Sequence, residues 1–330
     1  MRILLYEHIT AALGGATPGA DADSLHREGW AMRQAVAADL ARIAGVAVAA
    51  LDSADEASFR DAVRGADCVL VIAPEFDDLL GQRCQWVEEC GANLLGPSAA
   101  AVRLTADKLA LAEHWQIHGV PTPPTRLHLP GDAQPSIFAP VVCKPRHGAG
   151  SQAVFLVRQD ADLAAAVAAA QAEGETDDLI VQPFAPGQAA SVAWLIGPTQ
   201  SLPLLPATQV LSTDGRFHYH GGQLLLDEPW RTRAVALSRR AVECVPGLSG
   251  YVGVDLVLGA AADGSADQVI ELNPRLTTSY VGLRTRTASN LAGLMLDVVR
   301  GVEVTPPEWR SGAVRFSPDG SISHENKTTG

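Results

Sequence analysis

The sequence predicts two kinds of fold in one chain, a parallel α/β region over residues 1–98 followed by an α+β region. Short apolar segments alternate with helical segments in the first region, which is the pattern of a parallel sheet with helices on its faces. In the second region, apolar strand-like segments outnumber the helices. The composition, 47% hydrophobic and 19% charged, is that of a globular protein with a full core.

The first region is expected to begin with a short buried strand at residues 3–6. Residues 11–23 are rich in glycine, alanine and aspartate and predict a loop. The following helix, 24–44, carries apolar residues on one side at helical spacing. The remaining strands are expected at 46–51, 68–74 and 93–97, and the remaining helices at 57–63 and 79–90.

A break is expected near residues 97–108, before a helix at 109–118 that Thr105 could cap. Prolines 121, 123 and 124 then force an extended segment. The later strands are expected at 141–143, 153–157, 179–182, 191–196, 202–209, 253–258 and 268–272, and the later helices at 160–171, 230–244 and 290–299. The polar segment 317–330 suggests a disordered tail.

Several classes of protein are disfavoured by the bulk properties. A net charge of −12 and an isoelectric point of about 5.1 argue against duplex nucleic acid or an anionic membrane as the main partner. Glu7 and His8 come too early for the apolar stretch of a signal peptide, and no apolar run approaches the ~18 residues that a membrane span needs. Five cysteines without a CxxC pair predict reduced thiols and a cytoplasmic location.

A lysine followed by a glycine-rich turn is the first candidate binding element. An apolar strand leads to Lys144 and Pro145, and His147, Gly148, Gly150 and Ser151 follow. Glycines let the backbone approach a phosphate and aim its N–H groups, and Lys144 adds a cation. The segment could therefore cover the β- and γ-phosphates of a nucleotide.

Three other interpretations of this turn compete with a nucleotide site: a hairpin without a ligand, a phosphate-binding loop and a dinucleotide fingerprint. A glycine-rich hairpin needs no ligand, and the phosphate-binding pattern GxxxxGK[ST] is absent. Residues 148–153 match the loose GxGxxG/A pattern, but a dinucleotide fingerprint should open a helix, and 153–157 predicts a strand.

Two apolar strands near the C-terminus carry acids. Along residues 269–275, alternation places Glu271 and Asn273 on one side and turns Ile270 and Leu272 to the core. Asp255 lies in the middle of the other strand, where an acid is costly unless it is paired or metal-bound. If the strands are neighbours, these three oxygen-bearing side chains suit Mg²⁺.

Arg275 follows on the same face and could hold a phosphate or an acyl phosphate. A structural Asp–Arg ion pair or edge-strand residues facing water would explain the same pattern. A paired-carboxylate glycosidase is a further alternative, although a basic glycine-rich loop has no role there.

Two weaker signals complete the set. The strand 179–182 runs into Gln182, Pro183 and Phe184, where a bend exposes backbone groups that could read an adenine edge. Lys108 lies early in a helix, where a lysine opposes the helix dipole, so an anion is expected nearby.

Taken in order, these motifs resemble the ATP-grasp superfamily: Lys108, Lys144 before a glycine-rich loop, a hinge at 182–184, and Asp255 with Glu271-x-Asn273-Pro274-Arg275. The resemblance spans residue 97 onward, and the N-terminal α/β part resembles the Rossmann-like preATP-grasp domain of that superfamily. It implies a preATP-grasp domain at 1–98, a subdomain with a glycine-rich lid at 99–187, and a C-terminal subdomain with the Mg²⁺ site at 188–316. It also implies ATP and Mg²⁺ as cofactors, with Mn²⁺ able to substitute, and favours a homodimer.

Segments 5–10, 14–15, 24–32 and 273–284 are similar to the tyramine–L-glutamate ligase family of methanofuran biosynthesis, including bacterial relatives. That family joins the glutamate γ-carboxylate to the amine of tyramine, so the resemblance implies glutamate and an aromatic amine as substrates. In methylofuran-type cofactors of one-carbon metabolism the acceptor could be tyrosine. The sequence departs from the pattern at residues 11–12 and 16–23, and at 188–190, where the superfamily often has an acid.

The implied mechanism forms an acyl phosphate on glutamate, with Lys144 and Arg275 neutralising the transferred phosphate. Arg284 and Arg286 are candidates for gripping the glutamate carboxylates, or else ordinary surface arginines, and Tyr280 could face the aromatic amine or pack in the core. Two alternatives remain open, another ATP-grasp amino-acid ligase such as one acting on a pterin cofactor, and a nucleotide-binding module without catalysis.

Overall fold

The computed structural model describes residues 1–19, 21–128, 140–174, 178–224 and 227–325. Its strands form three sheets, two of four strands and one of eight. Each sheet is built from one continuous part of the chain, in the order that the sequence predicts. Across these described ranges, no helix has the length and apolar composition needed to cross a membrane.

The first sheet confirms the parallel α/β region. Its strands are β1 (Arg2–Glu7), β2 (Ala47–Ala50), β3 (Cys68–Ile72) and β4 (Asn93–Leu94), all parallel in the order β2-β1-β3-β4. The helices are α1 (His8–Ala12), α2 (Ser24–Leu40), α3 (Glu56–Arg64) and α4 (Leu79–Glu89). Helix α1 reaches into the expected loop because the Glu7 carboxylate caps it, accepting the N–H groups of Ile9 and Thr10.

The second sheet lies in the middle of the chain. Its elements are α5 (Ala99–Ala106), α6 (Lys108–Ile117), β5 (Arg126–Leu127), β6 (Val141–Pro145), β7 (Phe155–Val157), α7 (Leu163–Ala172) and β8 (Leu179–Pro183). The strands are antiparallel in the order β5-β8-β6-β7. The expected cap was wrong, because Asp107 caps α6 while the Thr105 hydroxyl donates to Ala101 inside α5.

The third sheet holds the C-terminal half. Its strands are β9 (Gln188–Ile196), β10 (Ser201–Pro203), β11 (Ala207–Leu211), β12 (Tyr219–Gln223), β13 (Gly250–Leu258), β14 (Gln268–Asn273), β15 (Ala313–Phe316) and β16 (Ile322–Glu325). The helices are α8 (Trp230–Glu243), α9 (Ser279–Leu283) and α10 (Leu291–Val299). The order is β14-β13-β9-β11-β12-β15-β16, with β10 on β9.

Two expectations for this part differ from the structure. The strand expected at 202–209 is two strands, β10 and β11, on either side of residues 204–206. The tail expected to be disordered instead returns as β16, which pairs antiparallel with β15 through 313–316 and 322–325. Residues 326–330 of that predicted tail lie outside the described residues.

One apolar core joins the N-terminal sheet to the back of the large sheet. Leu5 of β1 and Val36 of α2 belong to the same buried cluster as Leu195 of β9, Tyr280 of α9 and Met295 of α10. Helix α2 contacts both α9 and α10. The N-terminal region is therefore packed onto the C-terminal half, and α2 is held at a fixed place beside it.

Gly29 lies where α2 passes over the start of α1, and we expect Gly29→Ala to destabilise the fold. A Cβ there would stand 2.5 Å from the Glu7 carboxylate, which is buried and cannot withdraw without uncapping α1. The free energy of unfolding should fall by about 1–3 kcal/mol in urea unfolding. In the matched control Gly293→Ala, the nearest contact is an ordinary 3.6 Å to Asn290, so stability should hold or rise by up to ~1 kcal/mol. Equal losses in both variants would contradict the steric argument.

Candidate functional site

A cavity of about 610 Å³ is lined by residues from all three parts of the chain. Its walls come from α2, α6, the β6–β7 loop, β8, β13 and β14, through Glu28, Lys108, residues 148–152, residues 182–184, Asp255 and Glu271. The polar groups that the sequence singled out as separate motifs therefore meet in one space.

The acids predicted from two strands lie side by side. Strands β13 and β14 are antiparallel neighbours, and Asp255 pairs directly with Glu271. Asp255 accepts hydrogen bonds from Asn273 at 3.1 Å and from Gln209 of β11 at 2.9 Å. Burial, reinforced by the Glu271 charge, raises the pKa of Asp255 to about 7.

Two lysines face these acids. The Lys108 ammonium lies 3.4 Å from the Glu271 carboxylate and donates to the carbonyl oxygen of Gly148 at 2.8 Å. Burial lowers the pKa of Lys144 to about 8; Lys108 adds to this effect, and the negative charges of Glu271 and Asp255 oppose it. Burial alone would raise the pKa of Glu271, but the two lysines outweigh it and lower that pKa.

The donor set fits a hard divalent cation. Asp255 and Glu271 offer carboxylate oxygens, and Asn273 uses its amide N–H on Asp255, which leaves its carbonyl oxygen to bind. Burial and the neighbouring Glu271 charge disfavour the ionised form of Asp255, so a cation bound there would stabilise it. A Mg²⁺ ion held by these three side chains would supply that positive charge.

A bulge between the two acid-bearing strands corrects the expectation for Ile270. Asp255 pairs with Glu271 but Leu256 pairs with Val269, so Ile270 is an extra residue on β14. Its side chain lines the cavity next to that of Glu271 instead of facing the core. It gives the cavity an apolar surface beside the charged one.

The glycine-rich loop adopts an unusual backbone. Gly150, Ser151 and Ala153 all have positive φ, at 69°, 59° and 50°. The Ser151 hydroxyl donates to the carbonyl oxygen of Phe217 at 2.9 Å, which ties the loop to the large sheet region. A Cβ on Gly150 would stand 3.1 Å from Leu25 of α2, so the loop tip closes against the N-terminal region.

The predicted loop contacts divide into two groups. Gly148, Gly150 and Ser151 line the cavity, as expected of groups that would meet a phosphate. The ring of His147 lies outside that lining, is 37% exposed and stands 4.0 Å from the carboxylate of Asp107. The predicted contact between His147 and the nucleotide stays a prediction.

The predicted hinge also lines the cavity, through Gln182, Pro183 and Phe184. The Gln182 amide donates to the Thr125 hydroxyl at 2.6 Å, and the Phe184 N–H donates to the carbonyl oxygen of Pro140 at 2.9 Å. The N–H of Phe184 is therefore already used.

Arg275 reaches the cavity from β14 with a partner that the sequence did not suggest. Glu75 follows β3 in the N-terminal region and accepts from Nη2 of Arg275 at 3.1 Å, while Nε of Arg275 lies 2.8 Å from the second carboxylate oxygen. Burial alone would lower the pKa of Arg275, but Glu75 raises it, so the guanidinium stays charged.

Glu28 is a second missed residue. It projects from α2 into the cavity and accepts a hydrogen bond from the Thr278 hydroxyl at 3.3 Å. Burial raises the pKa of Glu28, and the Arg275 charge opposes the shift. Tyr219 of β12 also lines the cavity, and burial together with the charges of Asp255 and Glu28 raises its pKa.

The three predicted substrate contacts have other partners. Arg284 makes two hydrogen bonds to Asp39 of α2, at 2.9 and 2.6 Å, and the buried Tyr280 hydroxyl donates to the same carboxylate at 2.7 Å. Arg286 is buried and donates to the carbonyl oxygens of Leu224 and Arg310. The side chains of Tyr280, Arg284 and Arg286 therefore hold α9 and the residues that follow it in place, and they lie outside the cavity lining.

Comparison with known protein families finds two domain profiles that match consecutive parts of this chain. The profile of the ATP-grasp domain family matches residues 105–279, and that of the pre-ATP-grasp 3 domain matches residues 30–102. Together they cover every wall of the cavity except Glu28.

Two curated relatives are tyramine–L-glutamate ligases. The protein from Methanocaldococcus fervens is 26% identical over 245 residues, covering 72% of this chain and 68% of the relative. That from Methanocaldococcus jannaschii is 27% identical over 237 residues, covering 70% of this chain and 62% of the relative, which is less than two thirds of its length.

Solved structures share the fold. An ATP-grasp superfamily protein from Archaeoglobus fulgidus superimposes with a TM-score of 0.71 at 24% identity, over 96% of this chain and 92% of its own. N5-carboxyaminoimidazole synthase from Aspergillus clavatus, in complex with ADP and 5-aminoimidazole ribonucleotide, gives a TM-score of 0.71 at 15% identity over 96% and 81%.

Proposed function

This chain belongs to the ATP-grasp family, and on that premise we propose that it is an ATP-dependent ligase that joins a carboxylate to an amine. The substrates that we propose are L-glutamate, through its γ-carboxyl group, and tyramine or tyrosine. The observation that carries the proposal is the cavity in which Asp255 and Glu271 face Lys108, Lys144 and Arg275. The names of the two curated relatives support the choice of substrates.

In this proposal the nucleotide phosphates lie between the glycine-rich loop and the acid-bearing strands. Lys108 and Lys144 are the cations closest to Glu271, and the loop offers backbone N–H groups around Gly148 and Gly150. The base lies toward Phe184 and Ile270, where the lining is apolar. Mg²⁺ bound by Asp255, Glu271 and Asn273 would neutralise phosphate charge and orient the γ-phosphate.

The reaction has two steps. A glutamate carboxylate oxygen bonds to the γ-phosphorus of ATP while the bond to the bridging oxygen breaks, which gives an acyl phosphate and ADP. The neutral amine then bonds to the acyl carbon, phosphate leaves with the former carboxylate oxygen, and the amine loses a proton. Arg275 and Lys144 stabilise the charge on the transferred phosphate in both steps. The closed loop keeps water away from the acyl phosphate.

Glu28 is placed to receive the amine substrate. It is the acid that α2 brings to the cavity, beside Arg275 and across from Tyr219. A carboxylate there would pair with the ammonium group of an incoming amine, and the tyrosine ring offers a surface for an aromatic one. Arg275 between Glu28 and the phosphate site would then separate the acceptor from the nucleotide.

We therefore expect Glu28→Gln to raise KM for the amine by about 10- to 100-fold, because a hydrogen bond to a charged group is lost. KM for ATP should change little. Initial rates of ADP release at varied amine and varied ATP measure both constants. Glu113→Gln, on the exposed side of α6, is the matched control and should leave both unchanged. An unchanged amine KM in Glu28→Gln would remove Glu28 from the acceptor site.

The function itself is tested by ADP release with Mg-ATP and L-glutamate, with and without tyramine or tyrosine, together with the mass of the product. Amine-dependent ADP and a product one water lighter than its two precursors support the proposal and identify the acceptor. ADP release with other amines or pterin acceptors only would keep the ligase and reject these substrates. No turnover with a broad panel of acids and amines would favour a nucleotide-binding module.

A further inference from the structure

A group of two histidines and a cysteine lies outside the cavity lining, at the far end of α6 from Lys108. His114 and His118 are one helical turn apart, and Cys244 ends α8. One potential ligand atom from each lies within 4.8 Å of the others. His118 is exposed and the other two are half-buried, so solvent reaches the group.

The two helices that carry these residues are firmly joined there. The indole N–H of Trp115 donates to the carbonyl oxygen of Ala241 at 3.2 Å, and the Arg240 guanidinium donates to that of Gly119. The C-termini of α6 and α8 therefore meet at the group. A helix C-terminus carries negative partial charge, so two of them together favour a cation.

The hydrogen bonds of the histidines suit a metal ligand. Nε2 of His114 can donate to the carbonyl oxygen of Cys244 at 2.8 Å, and Nδ1 of His118 can donate to that of His114 at 2.8 Å. A neutral imidazole that donates through one nitrogen keeps a lone pair on the other. Histidines that bind metals commonly make such a hydrogen bond, which fixes their tautomer.

We propose that His114, His118 and Cys244 bind a transition-metal ion of the zinc type, with water as the fourth ligand. Two imidazoles and a thiolate are the donors that Zn²⁺ prefers, whereas Mg²⁺ selects oxygen. With Zn–N near 2.0–2.1 Å and Zn–S near 2.3 Å, tetrahedral ligand atoms stand about 3.3–3.6 Å apart. Ligand atoms that stand 4.8 Å apart must approach by about 1.2–1.5 Å to reach this spacing, which side-chain adjustments of the exposed His118 and of Cys244 can supply.

Binding forms a metal–sulfur bond and releases the thiol proton of Cys244 to solvent. The ion would link the C-terminal end of α6 to α8, while the opposite end of α6 carries Lys108 at the cavity. This inference does not depend on the ligase activity.

Co²⁺ titration of the whole protein tests the site, because a thiolate bound to cobalt gives a charge-transfer band and a tetrahedral centre gives strong visible bands. We expect both with one equivalent of Co²⁺, and their loss when Zn²⁺ is added. Cys244→Ser should abolish the charge-transfer band, and His118→Ala should weaken metal affinity at least about 10-fold. Cys90→Ser, another half-buried cysteine, should behave as the wild type.

Thermal unfolding gives a second measurement, because an ion that binds only the folded state raises Tm. Zn²⁺ should raise Tm of the wild type and of Cys90→Ser, should raise that of His118→Ala by less, and should leave that of Cys244→Ser unchanged. Absence of the charge-transfer band in the wild type, or its survival in Cys244→Ser, would overturn the proposal. A Tm shift of equal size in all four proteins would also overturn it, since the metal would then act elsewhere.

Discussion

Glu271→Gln is expected to lower kcat for ADP release by about 10²- to 10³-fold, the range seen when one charge-stabilising group is removed from an active site. The amide keeps the size of the side chain but not its charge. Glu271 pairs with Lys108 at 3.4 Å and faces Asp255 across β13 and β14. Half-saturation by Mg²⁺ should move to a higher concentration, because a carboxylate ligand becomes a neutral amide.

The control for this variant lies in the same hairpin. Asp263 is exposed in the turn between β13 and β14, where it accepts hydrogen bonds from the backbone N–H and the hydroxyl of Ser265. Asp263→Asn should leave kcat and the Mg²⁺ dependence unchanged, and urea unfolding should show both variants to be folded. A Glu271→Gln protein whose kcat stays within about twofold of the wild type would contradict the role proposed for this cluster.

The acid cluster was predictable because its signals are local. Strand alternation places Glu271 and Asn273 on one face, and an acid inside the apolar strand of Asp255 predicts a partner. Order and spacing along the chain then suggested the fold. The parallel N-terminal sheet followed in the same way from its alternating strands and helices, and the structure confirms it.

Departures from strict periodicity were not predictable. The bulge that turns Ile270 to the cavity adds one residue to β14 without any proline or glycine to mark it. Arg284 and Tyr280 were candidates for contacts with the substrate, with a surface arginine and core packing as the respective alternatives. Their partner is Asp39, more than 240 positions earlier, and only the packing of α2 on α9 brings it there.

The same limit explains the residues that sequence reasoning missed. Glu28 and Glu75 reach the cavity from the N-terminal region because a shared core fixes that region on the C-terminal half. Single acids in a helix and after a strand carry no signal of such a contact. The spacing of His114 and His118 is visible in the sequence. Cys244 lies 130 positions after His114, and only the folded chain brings it to the two histidines.

Arg275→Met should abolish most activity and also destabilise the fold, and the two effects can be separated. Glu75 is buried, and removing its guanidinium partner leaves an uncompensated charge that costs about 3–5 kcal/mol of unfolding free energy. Without the positive charge of Arg275 beside the transferred phosphate, kcat should fall by about 10²-fold or more. Urea unfolding and ADP release measure the two effects.

Adding Glu75→Leu to Arg275→Met removes the stranded carboxylate, because two apolar side chains then fill the space of the ion pair. Stability should recover most of what the single variant lost, since replacing both members of a buried pair is often neutral. Activity should stay as low as in Arg275→Met, because the phosphate still lacks its guanidinium. If activity returned together with stability, Arg275 would be acting through the fold alone. If stability recovers and activity does not, the positive charge of Arg275 acts directly on the transferred phosphate.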